Sequence, residues 1–285
     1  MPISDPLKMV ASGVMQDVVM SEQEFNRFRR LGYELLGIDF SPHKQSLLFG
    51  RLAKRLRALG LGSYSHYLDW VQRPDNRDEM ERMIDLLTTH ETYFFREPAH
   101  FSFLAEQLLP EWPSTRPLRV WSAASSTGEE AYSLAMVLMD KLGETCPWRI
   151  FASDISREVL VRARSGVYSM DRTNGISSDY LRRFCLRGVG ASEGSLRIDV
   201  SLRQRVEFEV VNLNECLAAL PEFDLIFLRN VLIYFDLDTK KRIVDRIVGQ
   251  LRPGGWLFIG HSESLHGMHG ELQLQRPTVY RRALP

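Results

Sequence analysis

The stretch from Leu118 to Asp154, LRVWSAASSTGEEAYSLAMVLMDKLGETCPWRIFASD, constrains the fold more than any other part of the chain. A short apolar run, Val120-Trp121, stops at the small residues Ser122 through Gly128. Ala131, Leu134, Ala135, Leu138 and Leu142 then recur at helical spacing, and a second apolar run, Ile150-Phe151-Ala152, ends on Ser153-Asp154. Strand, tight turn, helix, strand and acid make the first half of a nucleotide-binding α/β unit. Small turn residues let backbone approach a ligand, and the acid can hold a ribose hydroxyl pair.

The same stretch narrows the ligand. A pyrophosphate sits on exposed backbone N–H groups and usually brings G-x-G-x-x-G. Here the turn has one glycine, Gly128, followed at once by Glu129 and Glu130. Two carboxylates suit a helix N-terminus but repel a phosphate. The turn therefore favours an adenosyl cofactor without phosphate, such as S-adenosylmethionine, over a dinucleotide.

Before that unit the pattern is helical. Residues 1–20 are expected to be a loosely held tail. Ser21 with Glu24 forms a capping box, Phe25, Phe28, Leu31 and Leu35 form a buried stripe, and Gly37 ends the helix. Ser41-Pro42 starts a second helix with Leu48, Leu52, Leu56 and Leu59 inside, and two more helices lie around 64–72 and 79–87. Residues 21–90 thus read as a helical domain. Within it, 40–68 carries Lys44, Arg51, Lys54, Arg55 and Arg57 and no acid, so Arg51, Lys54 and Arg55 are candidates for docking an acidic partner. No interleaved aromatics accompany them, which argues against nucleic acid. Residues 91–117 read as linker and helix, with prolines at 110, 113 and 117 separating the helical part from the sheet.

Residues 118–285 read as the α/β domain. Two alternating runs, Leu196–Val200 and Val206–Val210, read as half-buried antiparallel strands of a small β insert at about 178–208, the second continuing into the main sheet. The main sheet takes up Val210-Val211, Phe223–Leu228 and Trp256–Ile259. Ligands of open α/β sheets bind beyond the carboxyl ends of the strands. Those ends carry Ala123, Asp154, Asn212 and Arg229-Asn230, so separate segments deliver small or polar groups to one rim.

With 36 cations against 36 acids, any electrostatic recognition is local. Three scattered cysteines without a C-x-x-C argue against a disulfide framework or zinc site and for a reducing compartment. No signal-like segment and no run near the ~20 apolar residues of a membrane span occurs, so a cytoplasmic protein is expected. His266-x-x-His269 resembles metal spacing but lacks a third ligand, and no metal is expected.

The combined motifs Thr88 to Arg96 (T-x-x-x-T-x-F-F-R), Val120 to Glu130, Phe151 to Asp154, Val211 to Leu213, Arg229 to Phe235 (R-N-V-x-I-Y-F) and Gly260 to Glu263 (G-H-S-E) resemble the CheR family of chemotaxis receptor protein-glutamate O-methyltransferases. The resemblance spans about 21–281. It implies a helical domain followed by a class I, Rossmann-like methyltransferase domain with a small antiparallel β subdomain. It also implies S-adenosylmethionine as methyl donor, S-adenosylhomocysteine as product, and receptor glutamates as substrate. Carried over by position, the implied cofactor contacts fall on His90 (where the family commonly has Asn), Thr92, Arg96, Glu130, Asp154, Asn212, Leu213, Arg229 and Asn230.

The implied chemistry needs orientation more than proton removal. Arg96 is the candidate carboxylate clamp, and the Tyr234 hydroxyl the candidate for orienting the attacking oxygen. The family's β subdomain can grip a receptor's C-terminal peptide, which places a candidate peptide dock on Arg187, Gly188, Gly190 and Arg197. The expected partners are methyl-accepting receptors, with the protein monomeric and without nucleic acid or membrane insertion. An NAD-dependent oxidoreductase would need a glycine-rich turn that is missing. A non-catalytic S-adenosylmethionine-binding scaffold would keep the rim and could lose Tyr234 or Arg96.

Overall fold

The structure is a computed structural model that describes residues 19–40 and 45–285. Expectations for the first 18 residues, and for Ser41, Pro42 and Lys44, lie outside the described residues. The chain forms two compact units, one ending at Thr89 and the other running from His90 to Pro285.

The first unit is helical: α1 (Glu22–Leu36), α2 (Gln45–Leu59), α3 (Tyr64–Val71) and α4 (Arg77–Leu87). Ser21 and Glu24 close the capping box at α1, and Gly37 ends the helix in the left-handed region. Phe28, Leu48, Leu52, Tyr64, Tyr67, Leu68 and Met83 fill the core. One acid lies among them. Glu79 accepts from the Arg55 guanidinium at both oxygens and from the Tyr67 hydroxyl at 2.9 Å.

That geometry corrects the docking expectation. Arg55 is committed to buried Glu79, and Arg51 caps the end of α4 by donating to the carbonyls of Leu86 (3.1 Å) and Thr88 (2.6 Å). Of the cations in that run, Arg55 takes its counter-charge from α4, outside it. Of the three candidates only Lys54 is exposed.

The second unit opens with α5 (Pro98–Phe103), which runs on into a π-helical turn, Leu104–Leu108. Phe94, Phe101, Leu104 and Leu109 are buried in this unit's core, so 91–117 is an integral layer of it rather than a linker. Then come β1 (Leu118–Ala123), α6 (Glu129–Leu142), β2 (Trp148–Asp154), α7 (Arg157–Ser165), β3 (Val167–Ser169), α8 (Ser178–Phe184), β4 (Cys185–Arg187), β5 (Ser195–Ile198), α9 (Val200–Arg203), β6 (Val206–Val210), β7 (Phe223–Leu228), α10 (Leu237–Gly249), β8 (Leu251–Ile259), β9 (Leu272–Arg276) and β10 (Val279–Arg282).

Seven strands form one sheet in the order β6-β2-β1-β7-β8-β10-β9, the first five parallel, with β10 antiparallel to both β8 and β9. Alternate residues serve opposite faces. Val120, Leu225 and Phe258 pack with α6 and α7, whereas Trp121, Ile226 and Ile259 pack with Ile243, Val244 and Ile247 of α10. Both faces are covered, as a parallel sheet requires.

A three-stranded antiparallel sheet, β3-β5-β4, stands apart and is the expected β insert, but its membership differs from the expectation. It spans 167–198. Val206–Val210 is instead a parallel edge strand of the main sheet, paired Ile150↔Val206 to Asp154↔Val210. Its alternation reflects an edge exposed on one side, which mimics the pattern of an antiparallel strand.

Candidate active site

The carboxyl ends of the parallel strands build the site. After β1 the chain turns through Ala124 (φ 60°), Ser126 (φ 50°) and Gly128 (φ 93°) before α6 begins. The Ser126 N–H donates to Asp154 Oδ2 at 2.9 Å and the Ser156 N–H to Oδ1 at 3.0 Å, so the acid ending β2 holds the β1 turn in place. Burial pushes the Asp154 carboxyl up; these backbone donors and the nearby His90 oppose that shift. The His90 carbonyl accepts from the Ser126 hydroxyl at 3.2 Å, bringing the polar run at 90–97 against the same turn.

A second cluster centres on Arg229 at the end of β7. Its guanidinium bridges Glu130 Oε2 and Glu97 Oε2, each at 3.0 Å, donates to the Arg96 carbonyl, and lies 5.6 Å from the Phe101 ring centre. Glu130 also accepts from the Ser122 hydroxyl at 2.7 Å. Burial pushes the Glu130 carboxyl up against the pull of Arg229. Glu97 is the hub. Besides Arg229 it accepts from Asn230 Nδ2 (3.2 Å) and the His261 N–H (3.1 Å). Burial alone would raise its carboxyl, but the charge of Arg229 and these donors outweigh it and hold Glu97 below the usual carboxylate range.

The backbone is bent to suit this cluster. Phe95 (φ 56°) and Glu97 (φ 58°) are left-handed non-glycine residues on either side of Arg96, and Asn230 (φ 59°) is a third. Such conformations cost about 1–2 kcal/mol each and persist only where the surroundings enforce them. The enforcing contacts are present. The Phe95 N–H donates to Ser133 Oγ at 3.0 Å, and the Asn230 N–H to Glu263 Oε2 at 2.9 Å.

Among the sequence candidates, Asp154, Glu130, Arg229, Asn230 and His90 thus stand in two hydrogen-bonded clusters at one rim. Thr92 enters through its carbonyl, which accepts from Arg172 at 3.1 Å. The Arg96 guanidinium donates to the Glu91 carbonyl at 2.9 Å and lies 5.8 Å from the Tyr93 ring centre. Asn212 accepts from the Asn214 N–H at 3.0 Å in the loop after β6, and Leu213 beside it is buried. Tyr234 is half-buried on the 3-10 turn Leu232–Tyr234, which lies just beyond Asn230. Glu263 pins this turn by also accepting from the Ile233 N–H at 3.3 Å.

Glu97 and His100 belong to the site without being apparent in the sequence. His100 is buried, donor or acceptor to Thr278 Oγ1 at 2.8 Å, and its Nδ1 faces Glu97 at 3.5 Å. Desolvation, aided by Arg229, lowers its pKa to about 3. The signal that could have found Glu97 is the charge of Arg229: an arginine ending an apolar strand has to be buried with a carboxylate.

Arg187 and Arg197 do not share a face of the small sheet. Arg197 pairs opposite Leu186 and Val167, whereas Arg187 pairs opposite buried Leu196. Only Arg197 therefore stands beside the exposed apolar pair Leu186 and Val167. Gly188 is required in its turn, because a Cβ there would lie 1.9 Å from the Ser192 carbonyl oxygen.

Helices on both faces of a mainly parallel sheet, with acids and an arginine gathered at the strand ends, define a Rossmann-like α/β protein with a polar rim. Residues 90–280 match the family described as CheR methyltransferase, SAM binding domain, and residues 23–88 match CheR methyltransferase, all-alpha domain. The chain belongs to the CheR methyltransferase family. It is 43% identical over 267 residues to the chemotaxis protein methyltransferase of Salmonella typhimurium, covering 93% of this chain and 92% of that one. It is 42% identical over 272 residues to chemotaxis protein methyltransferase 2 of Pseudomonas aeruginosa, covering 94% and 95%. The protein is accordingly a methyltransferase whose cofactor is S-adenosylmethionine, and no described helix is long and apolar enough to cross a membrane.

The donor set fits that cofactor. Acids at the helix N-terminus and strand end offer acceptors for ribose hydroxyls and an ammonium group, and the buried Arg229 Nε–H, which has no hydrogen-bond partner among the described residues, is a donor open to the ligand. The glycine-poor turn with its two glutamates is unsuited to phosphate.

Proposed function

We propose that the protein esterifies glutamate side chains of chemotaxis receptors with the methyl group of S-adenosylmethionine. The observation that carries this reading is the Glu97–Arg229–Glu130 array, centred on buried Arg229 and set beside Asp154 on neighbouring strand ends. It offers polar partners for the two ends of an aminoacyl nucleoside within one rim, in a chain that matches both domains of the family. The curated relatives carry the name chemotaxis protein methyltransferase, which supports receptors as the substrate.

In this reading Asp154 takes the ribose, Asn212 and Leu213 flank the base, and His90, Thr92, Arg96, Glu130, Arg229 and Asn230 surround the amino-acid end. The bound cofactor supplies an electrophilic methyl group. The substrate carboxylate, with a reference pKa near ~4.3, is already ionised at neutral pH, so the protein needs no strong base. Tyr234 orients the attacking oxygen by its hydroxyl, and Arg96 draws the substrate carboxylate toward the rim. Phe94, Phe95 and Phe101 form an apolar backing that keeps water from competing.

Receptor docking rests on Lys54 of α2, since Arg51 and Arg55 serve the helical unit itself. A receptor's C-terminal peptide adds to the free edge of β4, where Leu186 is exposed and Arg197 on the same face meets acidic groups. Incubation with labelled S-adenosylmethionine and receptor-bearing membranes from the source organism tests the function. Alkali-labile label on receptor glutamates is the expected result. Label absent from receptors in active preparations overturns it.

A further inference from the structure

Glu129 is the most enclosed acid of the second unit, with no exposed surface, and burial pushes its carboxyl up. The Thr127 hydroxyl donates to Oε2 at 2.6 Å, and the Arg172 guanidinium forms an ion pair with Oε1 at 2.6 Å, an oxygen that accepts no hydrogen bond among the described residues. Arg172 belongs to the 3-10 turn Met170–Arg172 that leaves β3 of the small sheet. The same terminal nitrogen donates to the Thr92 carbonyl at 3.1 Å.

One cation therefore joins three segments distant in sequence: the exit of the small sheet, the first turn of α6 next to Glu130, and the polar run that carries Thr92. Neighbouring contacts run the same way. The Tyr168 hydroxyl donates to the Thr127 carbonyl at 2.8 Å. Gly175 lies so close to the run that a Cβ would stand 2.1 Å from the Phe94 carbonyl oxygen.

We propose that Arg172 is a positioning residue for the cofactor, holding the Thr92 segment at a fixed distance from the N-terminus of α6. This rests on the proposed placement of Thr92 and Glu130 at the cofactor. Two requirements select arginine at this position. Glu129 needs a counter-charge in its buried setting, and Thr92 needs a donor whose position that charge has already fixed. A lysine ammonium can meet the first with one point charge, but its flexible stem holds the second less firmly. The small sheet thereby forms a wall of the cofactor site as well as a separate surface.

Arg172→Ala alone would leave a buried carboxylate without its cation, so its folding defect would mask the effect. The informative comparison is Glu129→Gln against Glu129→Gln/Arg172→Ala. Glutamine keeps the Thr127 contact and removes the need for a counter-charge, so both variants are expected to melt together. Calorimetric titration with S-adenosylhomocysteine should then show the double variant binding about tenfold more weakly than Glu129→Gln, with KM for S-adenosylmethionine rising in parallel and kcat within about twofold. Arg172→Lys should melt near wild type and bind with an intermediate affinity. Equal affinity of the single and double variants overturns the proposal and leaves Arg172 a counter-ion only. Asp154→Ala in the same titration separates the positioning role from the assignment of the site. If that variant binds like wild type, the assignment of the site fails; if it weakens while the Arg172 pair stays equal, only the positioning role does.

Discussion

Asp154→Ala is the sharpest probe of the site because the structure gives this carboxylate two separable duties. It is 7% exposed and accepts from the N–H groups of Ser126 and Ser156. Truncation strands both donors, each costing about 1–3 kcal/mol where water cannot replace the acceptor. Even at the low end of that range the two stranded donors cost about 2 kcal/mol in total. For a domain of this size that lowers Tm by about 4–8 °C. The cofactor should lose a further 1.5–3 kcal/mol, the range for a hydrogen bond to a charged group, which is roughly ten- to a hundredfold in Kd.

Differential scanning calorimetry and titration with S-adenosylhomocysteine read the two effects apart. A second substitution sharpens the separation. Ser126 is left-handed at φ 50°, and that carboxylate helps keep it so. Adding Ser126→Gly to Asp154→Ala relieves the backbone but removes the hydroxyl that donates to the His90 carbonyl, so stability should change by less than about 1 kcal/mol and affinity should not recover. A variant with lower Tm but wild-type Kd would show that Asp154 holds the turn and touches no ligand. A variant unchanged in both would refute the reasoning altogether.

Tyr234→Phe should lower kcat about tenfold or more, about 1.4 kcal/mol, with S-adenosylhomocysteine affinity unchanged; a full rate of receptor methylation would make the hydroxyl structural only. His100 gives a pH signature. Its folded pKa is depressed to about 3, so its contribution to stability is present above the unfolded value near 6.5 and is lost as pH falls from there toward 3. At pH 5 the loss is about 2 kcal/mol relative to pH 7.5, and urea midpoints across that range should fall less steeply in His100→Asn than in wild type. Lys54→Glu should raise the KM for receptor while Tm and cofactor affinity stay put, and rising salt should weaken wild-type association. A KM that neither the substitution nor salt moves would remove α2 from the docking surface.

The parts legible in sequence were those whose cause is local. The α1 cap, the β1–α6–β2 unit and Asp154 each arise from residues within one or two turns of chain, and the spacing carries them. The small sheet was half legible: β5 shows its alternation, but β3 and β4 have three residues each, too short for any period. β6 misled because exposure at a sheet edge and exposure of one face of an antiparallel strand write the same alternation. The basic face of α2 misled because neutralising Glu79 lies 24 positions from Arg55. Glu97 was invisible for the same reason, since its partners lie 132 to 164 residues away and no window of sequence contains them.

Those separations also bear on how the enzyme comes into being. Glu97 takes its partners from positions 229, 230 and 261, and His100 beside it takes Thr278, 178 residues downstream. A nascent chain can close α1 to α4 and pair β1 with β2 before β6 to β10 have been made. The acid at 97, however, must wait beside an unfinished sheet until β7 and β8 arrive, and its histidine neighbour until the β9–β10 hairpin closes. Closure of such distant contacts is slow and comes late. The Glu97 cluster is thus complete only once residue 261 has been made, and a chain arrested before residue 278 lacks both the His100–Thr278 contact and the strand β10 that borders β8.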